Sequence, residues 1–232
     1  MTSFSEYNYI RRRGRMTRAQ ARALADAATA FVVDDITPLP GAHLGIEIGF
    51  GMGHGLLHWA AQSPQWQLYG IELYQPGIGA LLNGLVKAQL TNVRILEAPA
   101  QLALHNLLTR REGFGAEARI IDEVRIQFPD PWPKKRHHKR RLIQADFLAL
   151  LAQVVKPDGV VKLATDWQPY ADWMREHFGA STRFRISHER IGRLHESDLG
   201  ALHEGQERVT TKFERRGDRL GHDIHELHYV VI

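Results

Sequence analysis

A chain of 232 residues with 44% hydrophobic content is long enough to bury its own core and fits one main domain with an appendage. The absence of cysteine excludes disulfides, thiolate zinc sites and thiol nucleophiles, and no apolar run approaches the roughly 18 residues of a membrane span. The net charge of +4 is unevenly spread: residues 11–18 and 134–141 hold eleven of the 30 Lys/Arg and no acid, leaving 19 basic against 26 acidic residues elsewhere. Such a distribution points to a polyanion bound in one place.

Residues 1–35 read as a basic N-terminal arm and a helix, "TRAQARALADAATAFVV", and residues 36–232 as the main domain. From there strand-like runs alternate with segments of helical period. "HLGIEIGF", "QLYGIEL", "NVRILEA", "EVRIQFP" and "GVVKLATD" are short, rich in β-branched residues and bounded by Gly, Pro, Asn or Asp. Between them lie "HGLLHWAAQ", "PGIGALLNGLVKAQL", "AQLALHNLL" and "RLIQADFLALLAQVV", the last stopped by a "KPDG" turn. A helix "PYADWMREHF", a strand "FRIS", a polar stretch over residues 188–222 and a strand "ELHYVVI" complete the pattern. The alternation predicts an α/β fold: a doubly wound, mostly parallel Rossmann-like sheet with helices on both faces.

In such sheets ligands bind outside the carboxyl ends of the strands. Four acids belong there: Glu47 in "IEIGFG", Glu72 in "GIEL", Asp130 after the fourth strand and Asp166 in "LATDW". Any one of them alone suits a turn or a helix cap, but four on one rim repel each other unless a ligand or a positive charge satisfies them. "GFGMGHG" sets Gly49, Gly51, Gly53 and Gly55 at alternate positions, where bare backbone lets a ligand approach. It departs from the dinucleotide fingerprint, because His54 stands where the third glycine belongs. Glu72, about 20 residues on, is placed to accept from a ribose diol. A nucleoside without a pyrophosphate follows, which favours S-adenosylmethionine over NAD.

"IEIGFGMG", "FPDPWPKKRHHKRRL", "LATDW", "TKFERRG" and "RRRGRMTRAQ" together resemble the bacterial tRNA (guanine-N7-)-methyltransferases, class I S-adenosylmethionine-dependent enzymes, over nearly the whole chain and in the right order. The resemblance implies transfer of a methyl group from S-adenosylmethionine to N7 of a guanosine in the variable loop of tRNA, position 46 in standard tRNA numbering. Position by position it implies Glu47, Gly49, Gly51, Gly53, Glu72, Pro99 and Asp130 at the cofactor, with Asp130 also the catalytic acid at the reaction centre. Lys134, Asp166, Thr211, Lys212, Phe213 and Glu214 would contact the tRNA. One position departs from the pattern: the family has an acid in "DA" near the adenine, and this chain has Pro99 in "EAPAQ". A cytoplasmic enzyme, monomer or homodimer, with tRNA as partner and neither membrane nor metal, is the expectation.

Several of these features also have plainer readings. "TKFE" is a capping box, and Trp132 stacks on a base or fills a core. His222, His225 and His228 are spaced by three, which in a strand turns neighbours to opposite faces and argues against a shared metal. Two rival functions remain. A methyltransferase of exocyclic amines often carries an Asp/Asn-Pro-Pro-aromatic stretch, against Asp130-Pro131-Trp132-Pro133 here. A non-enzymatic RNA-binding protein would have no use for the glycine loop or Glu72.

Overall fold

Thr17 opens the first helix with a reciprocal capping box: its hydroxyl accepts from the Gln20 amide at 3.2 Å and the Gln20 side chain accepts from the Thr17 amide at 2.8 Å. The computed structural model describes residues 14–110, 119–192 and 222–232. Helix α1 (Arg18–Phe31) turns Leu24, Ala27, Ala28 and Phe31 onto the main body, and the chain leaving it bonds to the sheet through the Val33 amide and the Ile95 carbonyl at 2.9 Å.

Strands and helices then alternate: β1 (His43–Ile48), α2 (His54–Gln62), β2 (Trp66–Ile71), α3 (Gln75–Ala88), β3 (Val93–Leu96), α4 (Ala100–Arg110) and β4 (Ile121–Gln127). A 3₁₀ helix (Lys135–Arg140) precedes α5 (Ala145–Val154), β5 (Val155–Thr165), α6 (Gln168–Gly179), β6 (Phe184–Gly192) and β7 (Ile224–Val231). The seven strands form one sheet in the order β3-β2-β1-β4-β5-β7-β6. Strands β1 to β5 are parallel, while β7 runs antiparallel between β5 and β6.

Side chains alternate across the strands, so two cores form, one on each face. Ile46, Ile48, Val124 and Leu163 meet Leu104, Phe147, Tyr170 and Phe178 from α4, α5 and α6. On the other face Leu68, Val93 and Ile95 meet Trp59, Leu81 and Leu85 from α2 and α3. Helix α2 sits close to the sheet because β1 and β2 present glycine beneath it. A Cβ on Gly45 would stand 2.5 Å from Trp59, and one on Gly70 2.6 Å from Leu56.

Two elements differ from the sequence expectation. The "KPDG" segment lies inside β5, as an irregularity between the pairs Val155/Ile121 and Val160/Glu123, with Asp158 in the left-handed region at φ +63°. Strand β6 extends past "FRIS" to Gly192, because β7 supplies a ladder partner along its whole length. Among the described residues no helix is long and apolar enough to cross a membrane.

Candidate active site

The parallel strands bring the acids to one edge of the sheet. Glu47 is the penultimate residue of β1, Glu72 follows β2, Pro99 precedes α4, Asp130 lies three residues past β4 and Asp166 follows β5. Between β1 and α2 the chain passes through Gly49, Gly51 and Gly53 at φ +71°, +56° and +78°, values that a side chain would strain. Helix α3 closes on this loop so tightly that a Cβ on Gly77 would collide with the Gly51 carbonyl. Glu72 braces the same loop: one oxygen accepts from the Gly51 amide at 2.9 Å, the other from the Leu73 and Tyr74 amides at 2.7 and 3.1 Å.

Glu47 is different. It is buried beneath α2, and burial pushes its carboxyl up from 4.5 to about 7, with Arg125 opposing the rise and Glu72 adding to it. Arg125 neighbours Glu47 in strand register, but it is also paired with Glu123 and lies 3.7 Å from the centre of the Trp59 ring. Among the described residues three buried side-chain atoms lack a hydrogen-bond partner: Glu47 Oε2, Gln127 Oε1 and Arg140 Nε.

Asp130 is exposed, on a loop flanked by two residues in left-handed conformation, Phe128 at φ +51° and Trp132 at φ +44°. Neither is glycine, so the loop holds strain that its surroundings must balance. The Phe128 amide donates to the Ala164 carbonyl at 2.8 Å, and Arg141 adds a second restraint. It is 3% exposed, donates from Nε to the Pro131 carbonyl at 2.8 Å, and places its guanidinium 5.0 Å from the Tyr170 ring and 4.8 Å from that of Trp173. Trp173 is fixed in turn by donating to the Ile143 carbonyl at 2.7 Å. The basic run therefore divides. Lys134, Lys135, Arg136 and Lys139 are exposed on the 3₁₀ helix and its cap, while Arg141 serves the core and His138 turns towards Arg141 and Trp173. Trp132 is half-buried, edge-on to His137 and 5.1 Å from the Arg140 guanidinium.

At the end of β3, Glu97 accepts from Gln75 at 3.2 Å, and the Pro99 carbonyl accepts from the Ala103 amide at 3.0 Å. Pro99 has no side-chain acceptor for an adenine amine. Asp166 is half-buried where β5 gives way to α6. Thr211, Lys212, Phe213 and Glu214 lie outside the described residues. His225 and His228 fall on opposite faces of β7, with His225 buried against Arg175 at 3.2 Å. Motif reading passed over Gln127 and counted Arg141 with the charged surface; for neither does residue type alone carry a signal.

A mostly parallel sheet with its last strand reversed, a glycine loop after β1 and acids after β1 and β2 together define a Rossmann-like methyltransferase of the S-adenosylmethionine-dependent class. A family model described as "Putative methyltransferase" matches residues 42–227. A 16S rRNA (adenine(1408)-N(1))-methyltransferase from Catenulisporales acidiphilia shares the fold at a TM-score of 0.52 over 96% of each chain, with 16% identity. The chain is 38% identical to a tRNA (guanine-N(7)-)-methyltransferase of Pseudomonas fluorescens Pf0-1, covering 96% of this chain and 89% of that one. It is also 38% identical to the enzyme of the same name from Pseudomonas syringae pv. tomato, covering 96% and 88%. The chain belongs to the tRNA (guanine-N(7)-)-methyltransferase family.

The rim fits S-adenosylmethionine. Cβ atoms on Gly49 and Gly51 would meet nothing within 4 Å, so open space lies beside this backbone. The unmatched atoms of Glu47 and Gln127 are acceptors, and the cofactor's ammonium and ribose hydroxyls are donors.

Two outcomes follow from the charges. Glu47 ionises near 4.5 in the unfolded chain and about 7 in the folded one, so the cost of burying its charge is absent below 4.5 and progressively destabilises the fold as pH rises to 7. Glu47→Gln should therefore flatten the decline in stability between pH 4.5 and 8, by up to about 3 kcal/mol at the alkaline end; urea unfolding of both proteins that gave parallel pH profiles would remove this assignment. Arg141→Met is expected to destabilise by about 1–3 kcal/mol through the missing Pro131 bond, and Arg136→Met by less than about 0.5 kcal/mol. Equal losses in chemical denaturation would contradict the division of the basic run.

Proposed function

We propose that the chain transfers a methyl group from S-adenosylmethionine to N7 of a guanosine in tRNA, forming 7-methylguanosine, and that this is the variable-loop guanosine at position 46 of standard tRNA numbering. The observation that carries the reading is the place of Asp130: an exposed carboxylate past the carboxyl end of β4, on a restrained loop that leads into the exposed cations of the 3₁₀ helix. The names of the relatives supply the nucleic acid and the atom. A cytoplasmic enzyme follows from such a substrate and fits a chain without cysteine.

When bound, S-adenosylmethionine supplies a methyl carbon made electrophilic by the adjoining sulfonium. Guanine N7 carries a lone pair and no proton at neutral pH, so no residue has to act as a general base there. The chain's task is positioning, which contributes up to about 7–11 kcal/mol in favourable cases. Asp130 accepts from guanine N1–H and the exocyclic amine, a pattern adenine does not present, and its negative charge favours the cationic methylated ring. Glu72 keeps the glycine loop in its left-handed path and offers its carboxylate to the ribose. Lys134, Lys135, Arg136 and Lys139 meet backbone phosphates, which position the RNA and carry little sequence information. A guanosine stacked within folded tRNA has to be opened before its N7 is reached, and Trp132, at the foot of this surface, is placed to stack on it.

Incubation with unmodified tRNA and labelled S-adenosylmethionine, then borohydride and aniline, is expected to cleave the RNA at the methylated guanosine. Label incorporated without cleavage would point to another atom. Asp130→Ala should retain cofactor binding and lose methyl transfer by about a hundredfold or more; undiminished turnover would remove Asp130 from the reaction centre. Reversing the charge of Lys134, Lys135, Arg136 and Lys139 should flatten the salt dependence of tRNA binding, by about 0.7–0.9 in logarithmic slope for each phosphate no longer neutralised. An unchanged slope would place the RNA elsewhere.

A further inference from the structure

Gln127 ends β4, next to the strand that carries Glu47. A Cβ built on Gly55 would stand 3.1 and 3.4 Å from the two carboxylate oxygens of Glu47 and 3.6 Å from Gln127 Oε1. The two side chains thus turn oxygen atoms towards one point at the first turn of α2. Glu47 Oε2 and Gln127 Oε1 are two of the three unmatched buried side-chain atoms among the described residues, and both lie within 3.6 Å of that point. Buried acceptors are normally satisfied. Two of them turned towards one point repel each other once Glu47 is ionised, and an oxygen pair with one negative charge matches a compact cation bearing several N–H donors.

The open side of Gly49 and Gly51 lies on the same loop, so the donor comes with the ligand that the loop admits. We propose that Gln127 and Glu47 together form a two-acceptor seat for the α-ammonium group of S-adenosylmethionine, making Gln127 a cofactor-binding residue outside the motifs. The inference rests on the S-adenosylmethionine dependence proposed above. It also gives Glu47 a counter-charge. Arg125 and Glu72 are the charged groups already acting on its carboxyl, and they leave it raised; an ammonium on the open side draws it back to the ionised form.

The probes are S-adenosylhomocysteine and its deaminated counterpart, which lacks only the α-amino group, titrated calorimetrically into the full chain. Gln127→Met keeps side-chain volume and removes the acceptor. It is expected to weaken S-adenosylhomocysteine about tenfold or more and to leave the deaminated ligand within about twofold. Equal weakening of both, as when the substitution merely disturbs packing at the end of β4, overturns the seat; so does no weakening of either. A second measurement needs no variant. In buffers of different ionisation enthalpy near pH 7, the amine-bearing ligand should release a proton from Glu47 on binding the native chain, and the deaminated ligand should not. Equal proton release by the two ligands also overturns the proposal. A native chain that binds neither ligand overturns the cofactor dependence itself, and the seat with it.

Discussion

Glu47 is a carboxylate placed where an isolated protein would not choose to have one. The close approach of α2 over Gly45 and Gly70 shuts it from water, and the nearest cation, Arg125, is held by Glu123 and the face of Trp59. Burial without full compensation is the costliest way to keep a charge. The cost is tolerable because the same packing makes a dry site in which a ligand cation interacts strongly. Much of the rim follows from this arrangement. The left-handed glycines carry the chain around the carboxylate, Glu72 ties that loop down, and the ends of β1 and β4 share the same small space.

The second half of the site is organised by restraint. Phe128 and Trp132 take unfavourable backbone conformations on either side of Asp130; the Phe128 amide is tied to the Ala164 carbonyl at 2.8 Å, and a buried guanidinium holds the Pro131 carbonyl. An acid on a slack loop would spend part of its interaction with a base on being ordered. Here Arg141, Tyr170 and Trp173 supply that order before any ligand arrives. The most basic stretch of the chain therefore combines cations that face outward with one that fixes the geometry they surround.

The alternation of β-branched runs with helical periods made the sheet legible, because parallel strands buried on both faces are short and rich in apolar, β-branched residues. The acids at the strand ends were legible once the topology placed those ends on one edge. Long-range pairing was not. Nothing local distinguishes a Lys-Pro-Asp-Gly turn from an irregularity inside β5, since the difference lies in what Ile121 and Glu123 pair with. The second half of β6, polar and exposed, is a strand only because β7 returns beside it. Arg141 and Lys139 are alike in composition, yet the step to the end of the 3₁₀ helix turns one inward and leaves the other exposed. Gln127 carries no pattern at all, and what marks it is an unmatched oxygen, a property of three-dimensional packing.

Strand β7 lies between β5 and β6, although β6 precedes it in the chain. Strand β6 therefore reaches the sheet only through Ile224–Val231, which pairs with β5 on one side and β6 on the other. The outer side of β6 is left without a strand partner among the described residues. The polar character of β6, with Arg185, His188, Glu189 and Arg190 along an exposed strand, blunts the open edge of the finished sheet against pairing with a neighbouring copy.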